Sequence, residues 1–193
     1  MNRSETHVSC IILAGGEGKR TGGLDKGLLP YEKKPGKNKP LIEHVIDAVK
    51  NQVDDIVISA NRNIESYQQY SANVIGDSTE DYQGPLAGIA ACLKHCKHEL
   101  VLVVACDMPN LPSNLVTRLI SEIQDNSFSI ATVDNHHQLA LIIKDNMDDS
   151  VQQRLKNKQL KLIQWVESVP YITVSFDDIP DAFVNLNQLS DTD

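Results

Sequence analysis

The sequence predicts an α/β domain of three layers, α/β/α, around a mostly parallel sheet. Two observations predict it. Val8–Leu13 (VSCIIL) and Glu99–Ala105 (ELVLVVA) are unbroken apolar runs rich in β-branched residues, the pattern of strands covered on both faces. Between and after them, segments with apolar residues at helical spacing alternate with further short apolar runs, which is the order of βαβ units with right-handed crossovers.

Each element follows from its own pattern. Val8–Leu13 is the first strand, closed by a glycine cluster. Pro40 opens a helix whose stripe is Leu41, Ile42, Val45, Ile46 and Val49, with proline where its missing N–H costs nothing. Asp55–Ala60 is a strand, Ile64–Tyr70 a short helix and Asn73–Gly76 a strand. Pro85 starts a helix with Leu86, Ile89, Ala90 and Leu93 on one face, Glu99–Ala105 follows as a central strand, and Pro112 opens a helix striped by Leu115, Val116, Leu119, Ile120 and Ile123. Phe128–Val133 and Gln138–Lys144, separated by the polar turn Asp134–His137, read as an antiparallel excursion. A helical region around Leu155–Glu167, a strand at Tyr171–Phe176 and a tail ending in Phe183-Val184-Asn185 complete one domain over residues 1–193. The alternation of strands and helices fills a first part at about residues 8–110, and the antiparallel excursion and the tail a second at about 111–190.

Composition narrows the function classes. The net charge of −8 argues against a nucleic-acid or anionic-membrane binder. No run approaches the ~18 apolar residues of a membrane span, and the polar start, Met1 to His7, lacks a signal-peptide core; a cytoplasmic location is expected. The four cysteines, Cys10, Cys92, Cys96 and Cys106, read as free thiols in apolar surroundings. Cys92, His95 and Cys96 approach zinc-ligand spacing but have no fourth ligand nearby. Within the acidic whole, residues 19–39 carry Lys19, Arg20, Lys26, Lys33, Lys34, Lys37 and Lys39 against Asp25 and Glu32. For Lys33 to Lys39 alone, a solvated surface loop is the expectation.

The chemistry concentrates in loops at the carboxyl ends of strands, where open α/β sheets bind ligands. Leu13 to Gly27 holds six glycines, which let backbone N–H groups close on an anion, while Lys19, Arg20 and Lys26 add charge for a triphosphate. The loop is not a Walker A motif, since Gly18-Lys19 is followed by Arg20, nor a dinucleotide fingerprint, since Thr21 stands at the third glycine of the GxGxxG that begins at Gly16. Asp107, just past the Glu99–Ala105 strand, belongs on the same rim. A carboxylate beside a triphosphate calls for a hard divalent cation between them, and Mg²⁺ suits it; the alternative is a helix cap ahead of Pro112. Gly84-Pro85-Leu86-Ala87-Gly88 offers free N–H groups at a helix start for the phosphate of a second substrate. Asp77 and Ser59-Ala60-Asn61 complete the polar rim, and an acidic acceptor such as Asp77 suits the N1–H and N2–H₂ donors of guanine.

Taken together, LAGGEGKRTGGLDKGLL (Leu13–Leu29), PLIEHV (Pro40–Val45), GPLAG (Gly84–Gly88), CDMP (Cys106–Pro109) and FVNLN (Phe183–Asn187) resemble the molybdenum cofactor guanylyltransferases (MobA), in the same order from Val8 to Leu189. The resemblance implies a glycosyltransferase-A-like, Rossmann-like nucleotide-binding fold and transfer of GMP from Mg²⁺-bound GTP to molybdenum-molybdopterin, with pyrophosphate released. Carried over by position, Leu13, Ala14, Gly15, Gly16, Lys26, Ser59, Asp77 and Asp107 would contact GTP, and Asp107 would ligate Mg²⁺. Arg20 and Lys26 would stabilise the leaving pyrophosphate. Gly84, Pro85, Leu86, Gly88, Asn185 and Asn187 would face the acceptor, with cofactor-assembly proteins and molybdoenzymes as further partners. Gly15 and Asp25-Lys26-Gly27 favour guanine over the related cytidylyltransferases, which have LAAG and lack the DKG run. Thr21 stands where Met is usual, Ser59 replaces an Asn, Lys33–Lys39 is an insertion, and His137-Gln138 and Lys158 depart from the family's acceptor half. The alternatives are a cytidylyltransferase or another nucleotidyltransferase of this fold, and a catalytically idle GTP-binding accessory protein.

Overall fold

The computed structural model describes residues 6–16, 24–76, 84–144 and 147–185. Strands β1 (Val8–Leu13), β4 (Asp55–Ser59), β5 (Val74–Ile75), β6 (Leu100–Ala105), β7 (Phe128–Val133), β8 (His136–Ile143) and β9 (Tyr171–Ser175) form one sheet in the order β5-β4-β1-β6-β8-β7-β9. A separate hairpin joins β2 (Pro30–Lys34) to β3 (Lys37–Pro40). Pairing is parallel from β5 through β4 and β1 to β6, antiparallel on both sides of β8, and parallel again between β7 and β9. The predicted parallel sheet and its antiparallel excursion are both present.

The two apolar runs occupy the middle of the sheet because they can be covered twice. On one face, Cys10, Ile12, Leu102 and Val104 meet α1 (Leu41–Val49), Tyr67 of α2 (Ile64–Gln68) and α4 (Leu115–Ile123). On the other, Ile11, Val57, Val101 and Val103 meet α3 (Pro85–Leu93), α5 (Asp148–Lys156) and Trp165 of α6 (Leu162–Val166). Successive residues of β1 thus serve opposite cores, as the two-residue period of a strand requires.

Some boundaries differ from the sequence reading. Pro112 lies in a turn, and α4 starts at Leu115 with Asn114 at its cap; the paired stripe, not the proline, marks the helix. The helical region around Leu155–Glu167 is broken into α5 and α6, with Lys158 in a left-handed conformation (φ 57°) between them. The turn after β7 is narrower than the four polar residues suggested. Asp134 and Asn135, at φ 50° and 60°, make a two-residue hairpin turn of the type whose twist matches the strands. Lys33–Lys39 is solvent-exposed at Lys33, Pro35, Gly36 and Asn38, as expected, but it is no loop: it forms most of the β2–β3 hairpin, turning at Pro35-Gly36 with Gly36 at φ 74°.

Candidate active site

Asp107 stands two residues past β6, at the carboxyl end of the strand that pairs with β1. The chain leaves β1 towards β4 on one side, while β6 lies on the other, so the crevice between the β1 and β6 ends is a topological switch point. Leu13 ends β1, and the Cys106 N–H donates to its carbonyl at 3.0 Å. Ala14 is held on the opposite side, donating to the Ser59 carbonyl at 2.8 Å. The glycine loop therefore starts from a position fixed by both neighbouring strands.

Lys26 and Asp107 meet in this crevice, Nζ to Oδ2 at 3.4 Å, with the lysine 23% and the carboxylate 10% exposed. Two charges so screened from water attract more strongly than a surface pair would. Asp107 Oδ1 is buried and has no hydrogen-bond partner among the described residues. An orphaned carboxylate oxygen is costly unless something binds it, so the group fits an oxygen-seeking divalent cation. The helix-cap reading of Asp107 fails, since α4 begins eight residues later with Asn114 as its cap.

The DKG run is positioned by α2. The Tyr67 hydroxyl donates to Asp25 Oδ1 at 2.5 Å and Asn63 Nδ2 donates to Asp25 Oδ2 at 3.0 Å. Gly27 packs directly on Tyr67, whose hydroxyl a Cβ there would strike. Lys26 lies between these two anchors, at the start of the 3-10 turn Lys26–Leu28. Burial, and next the neighbouring Cys106 and the hydrogen bond to Asp25, raise the Tyr67 phenol well above its usual range, so it stays a donor.

The β4–α2 loop closes the other side. Arg62 Nη2 donates to the Gly16 carbonyl at 3.1 Å. The Asn61 side chain borders both Gly15 and Gly76, where a Cβ would lie 3.3 Å from its Nδ2 and 3.7 Å from its Oδ1 respectively. Ser59 is 1% exposed, and its hydroxyl lies under α3, 2.5 Å from where a Gly88 Cβ would be. Gly88 thus has a packing reason, and the Leu86 side chain is wholly buried in the core. What this segment turns towards solvent is Gly84, in a conformation (φ 76°) that favours glycine, and Pro85, the first residue of α3. Lys33 reaches from the hairpin to the Pro109 carbonyl at 3.0 Å, bringing β2 against the Asp107 loop.

Leu13, Ala14, Gly15, Gly16, Lys26, Ser59 and Asp107 are therefore gathered at one end of β1, β4 and β6. Asn185 follows the 3-10 turn Pro180–Phe183, beyond β9. Arg20, Asp77 and Asn187 lie outside the described residues. The sequence reading missed the anchoring roles of Asp25 and Tyr67 and the contact of Arg62 with the loop.

A model of the MobA-like NTP transferase domain matches residues 10–169. The molybdenum cofactor guanylyltransferase of Shewanella putrefaciens is 37% identical over 188 residues, covering 96% of this chain and 94% of the relative. That of Polynucleobacter asymbioticus is 38% identical, covering 95% and 93%. Among solved structures, molybdopterin-guanine dinucleotide biosynthesis protein A from Archaeoglobus fulgidus superposes with a TM-score of 0.72 at 20% identity, covering 93% of this chain and 92% of its own. This last likeness bears on the fold, and the sequence matches decide the family. With the match spanning the strand ends described above, the chain belongs to the MobA-like NTP transferase family.

Proposed function

We propose that this nucleotidyltransferase moves GMP from GTP to the terminal phosphate of molybdenum-bearing molybdopterin, releasing pyrophosphate. The observation that carries the reading is the Lys26–Asp107 pair in the β1/β6 crevice, with one Asp107 oxygen left for a cation. The names and near-complete coverage of the relatives support the two substrates.

An oxygen of the pterin phosphate attacks the α-phosphorus in line; the α–β bridging bond breaks, and its electrons leave with pyrophosphate. The attacking phosphate is ionised at neutral pH, so no protein base is needed, and the chain's task is positioning and charge neutralisation. Leu13 and Ala14 border the nucleotide, the Ala14 N–H being given to the Ser59 carbonyl, the backbone N–H groups of Gly15 and Gly16 face the triphosphate, and Lys26, with Arg20, balances the charge that grows on the leaving group. Asp77 and Ser59 would contact the nucleoside, the latter through its backbone because its hydroxyl is packed beneath Gly88. Gly84 and Pro85, with the backbone N–H groups of Leu86 and Ala87 in the first turn of α3 behind them, receive the acceptor phosphate, Gly88 supports them by its close packing on Ser59, and Asn185 and Asn187 would bound the pterin side. Asp107 would hold Mg²⁺, which when bound supplies Lewis-acid stabilisation of phosphate oxygens. We place the reaction in the cytoplasm, where GTP is available and the four free thiols stay reduced. Cofactor-assembly proteins and molybdoenzymes are the proposed partners for handing the product on.

The test is pyrophosphate release from GTP with molybdenum-loaded molybdopterin. Release should depend on both substrates and on Mg²⁺. A preference for CTP would instead make the chain a cytidylyltransferase, and GTP binding without release would make it an accessory protein.

A further inference from the structure

The three strands that carry the nucleotide rim at their carboxyl ends carry another group of side chains at their amino ends. His7 precedes β1, Asp54 precedes β4, and His98 stands two residues before β6. Because β4, β1 and β6 are adjacent, these positions are neighbours. One ligand-capable atom from each lies within 4.8 Å of the others. His7 Nδ1 is 3.3 Å from Asp54 Oδ1, and the His7 and His98 rings stack with centroids 5.2 Å apart.

The group is held from behind. The Val8 N–H donates to Asp54 Oδ2 at 2.9 Å, which leaves Oδ1 turned to His7. The buried Ser9 hydroxyl oxygen accepts the N–H groups of Lys97 and His98 at 3.0 and 3.2 Å. The carboxylate of Asp54 and the backbone of His98 are thus fixed before an ion arrives, as the outer shell of a metal site fixes its ligands.

Two imidazoles and one carboxylate suit a borderline transition ion, whereas Mg²⁺ prefers an all-oxygen shell. With metal–ligand bonds of about 2.0–2.2 Å, tetrahedral ligand atoms sit roughly 3.3–3.5 Å apart. The His7–Asp54 pair already has that spacing, and the exposed His7 ring can turn to close the rest. We propose that His7, Asp54 and His98 bind a divalent transition-metal ion of the zinc class. The ion would tie the segment before β1 to the loops before β4 and β6, with its open positions filled by water. This site is independent of the nucleotide chemistry at the other strand ends.

Untagged, chelator-treated protein is titrated with Zn²⁺ and Co²⁺ at pH 8, by calorimetry and visible absorption, with Mg²⁺ as control. One Zn²⁺ per chain should bind saturably, Co²⁺ should give d–d bands of histidine ligation, and Zn²⁺ should raise the melting temperature. His7→Ala and His98→Gln should each weaken Zn²⁺ binding at least about tenfold, while pyrophosphate release in Mg²⁺ stays at the wild-type rate. Absence of saturable Zn²⁺ binding by the wild type would overturn the proposal. So would undiminished binding by a folded His7→Ala/His98→Gln double variant, which would move the ion to the thiols.

Discussion

The hydroxyl of Tyr67, wholly buried beneath α2, donates to Asp25 at 2.5 Å and so holds the residue immediately before Lys26. A lysine side chain is flexible, and a catalytic cation is useful only where its reach is fixed. The anchor lies on α2, while the partner of Lys26, Asp107, hangs from β6. The pair therefore depends on two elements that do not neighbour each other in sequence.

Removing the Tyr67 hydroxyl should reveal that dependence. Tyr67→Phe should cost about 1–3 kcal/mol of stability, the scale of a lost hydrogen bond to a charged group, and should lower kcat more than it raises KM. Urea unfolding and steady-state pyrophosphate release measure the two effects. An unchanged kcat alongside the stability loss would leave Asp25 a purely structural anchor.

Asp107→Asn keeps the shape and removes the charge. GMP transfer should fall by about 10²–10³-fold, the scale of losing one preorganised electrostatic group, with GTP binding in the absence of metal altered far less. Lys26→Ala should lose a similar amount. The double variant should lose less than the product of the two, because the residues face each other. Near-normal transfer by Asp107→Asn in Mg²⁺ would sink the assignment.

Gly88 separates packing from anion binding. A Cβ there would lie 2.5 Å from Ser59 Oγ and 3.1 Å from Leu13 Cδ2, so Gly88→Ala should destabilise by roughly 1–3 kcal/mol. Adding Ser59→Ala removes the oxygen and should return part of that loss in thermal melts. No rescue would mean that α3 shifts as a whole.

Alkaline pH should weaken the fold. Burial raises the thiols of Cys10 and Cys106 far above their usual range and pushes Cys96 up to about 12. Above pH ~8.5 the unfolded thiols lose protons that the folded ones keep, so the unfolded state binds fewer protons and stability falls as pH rises. The window runs from the unfolded thiol value to about 12 for Cys96. Melting temperatures should drop steadily across it, and a thiol reagent at pH 8 should react slowly until the protein is denatured.

The sequence made β1 and β6 legible because both are apolar without interruption, and it placed Asp107 because a residue just past a buried strand must stand at its rim. The β2–β3 hairpin escaped because lysines crowd it and suggest a solvated loop; the Pro35-Gly36 pair was the local sign of its turn. Asp25 could not be assigned its role, since its partners Asn63 and Tyr67 come from a segment about 40 residues away with no pattern linking the two. Gly88 looked like part of an anion cradle because sequence shows which residue is small but not what lies opposite it.

The pairing of β1 also bears on how the protein emerges from the ribosome. β1 is made first, yet its partner β6 begins about 90 residues later. The glycine loop can take its final place only after Cys106 has left the exit tunnel and its N–H reaches Leu13. A nascent chain arrested earlier carries the loop proposed to hold the triphosphate but not the crevice, so nucleotide binding during synthesis should switch on late and in one step.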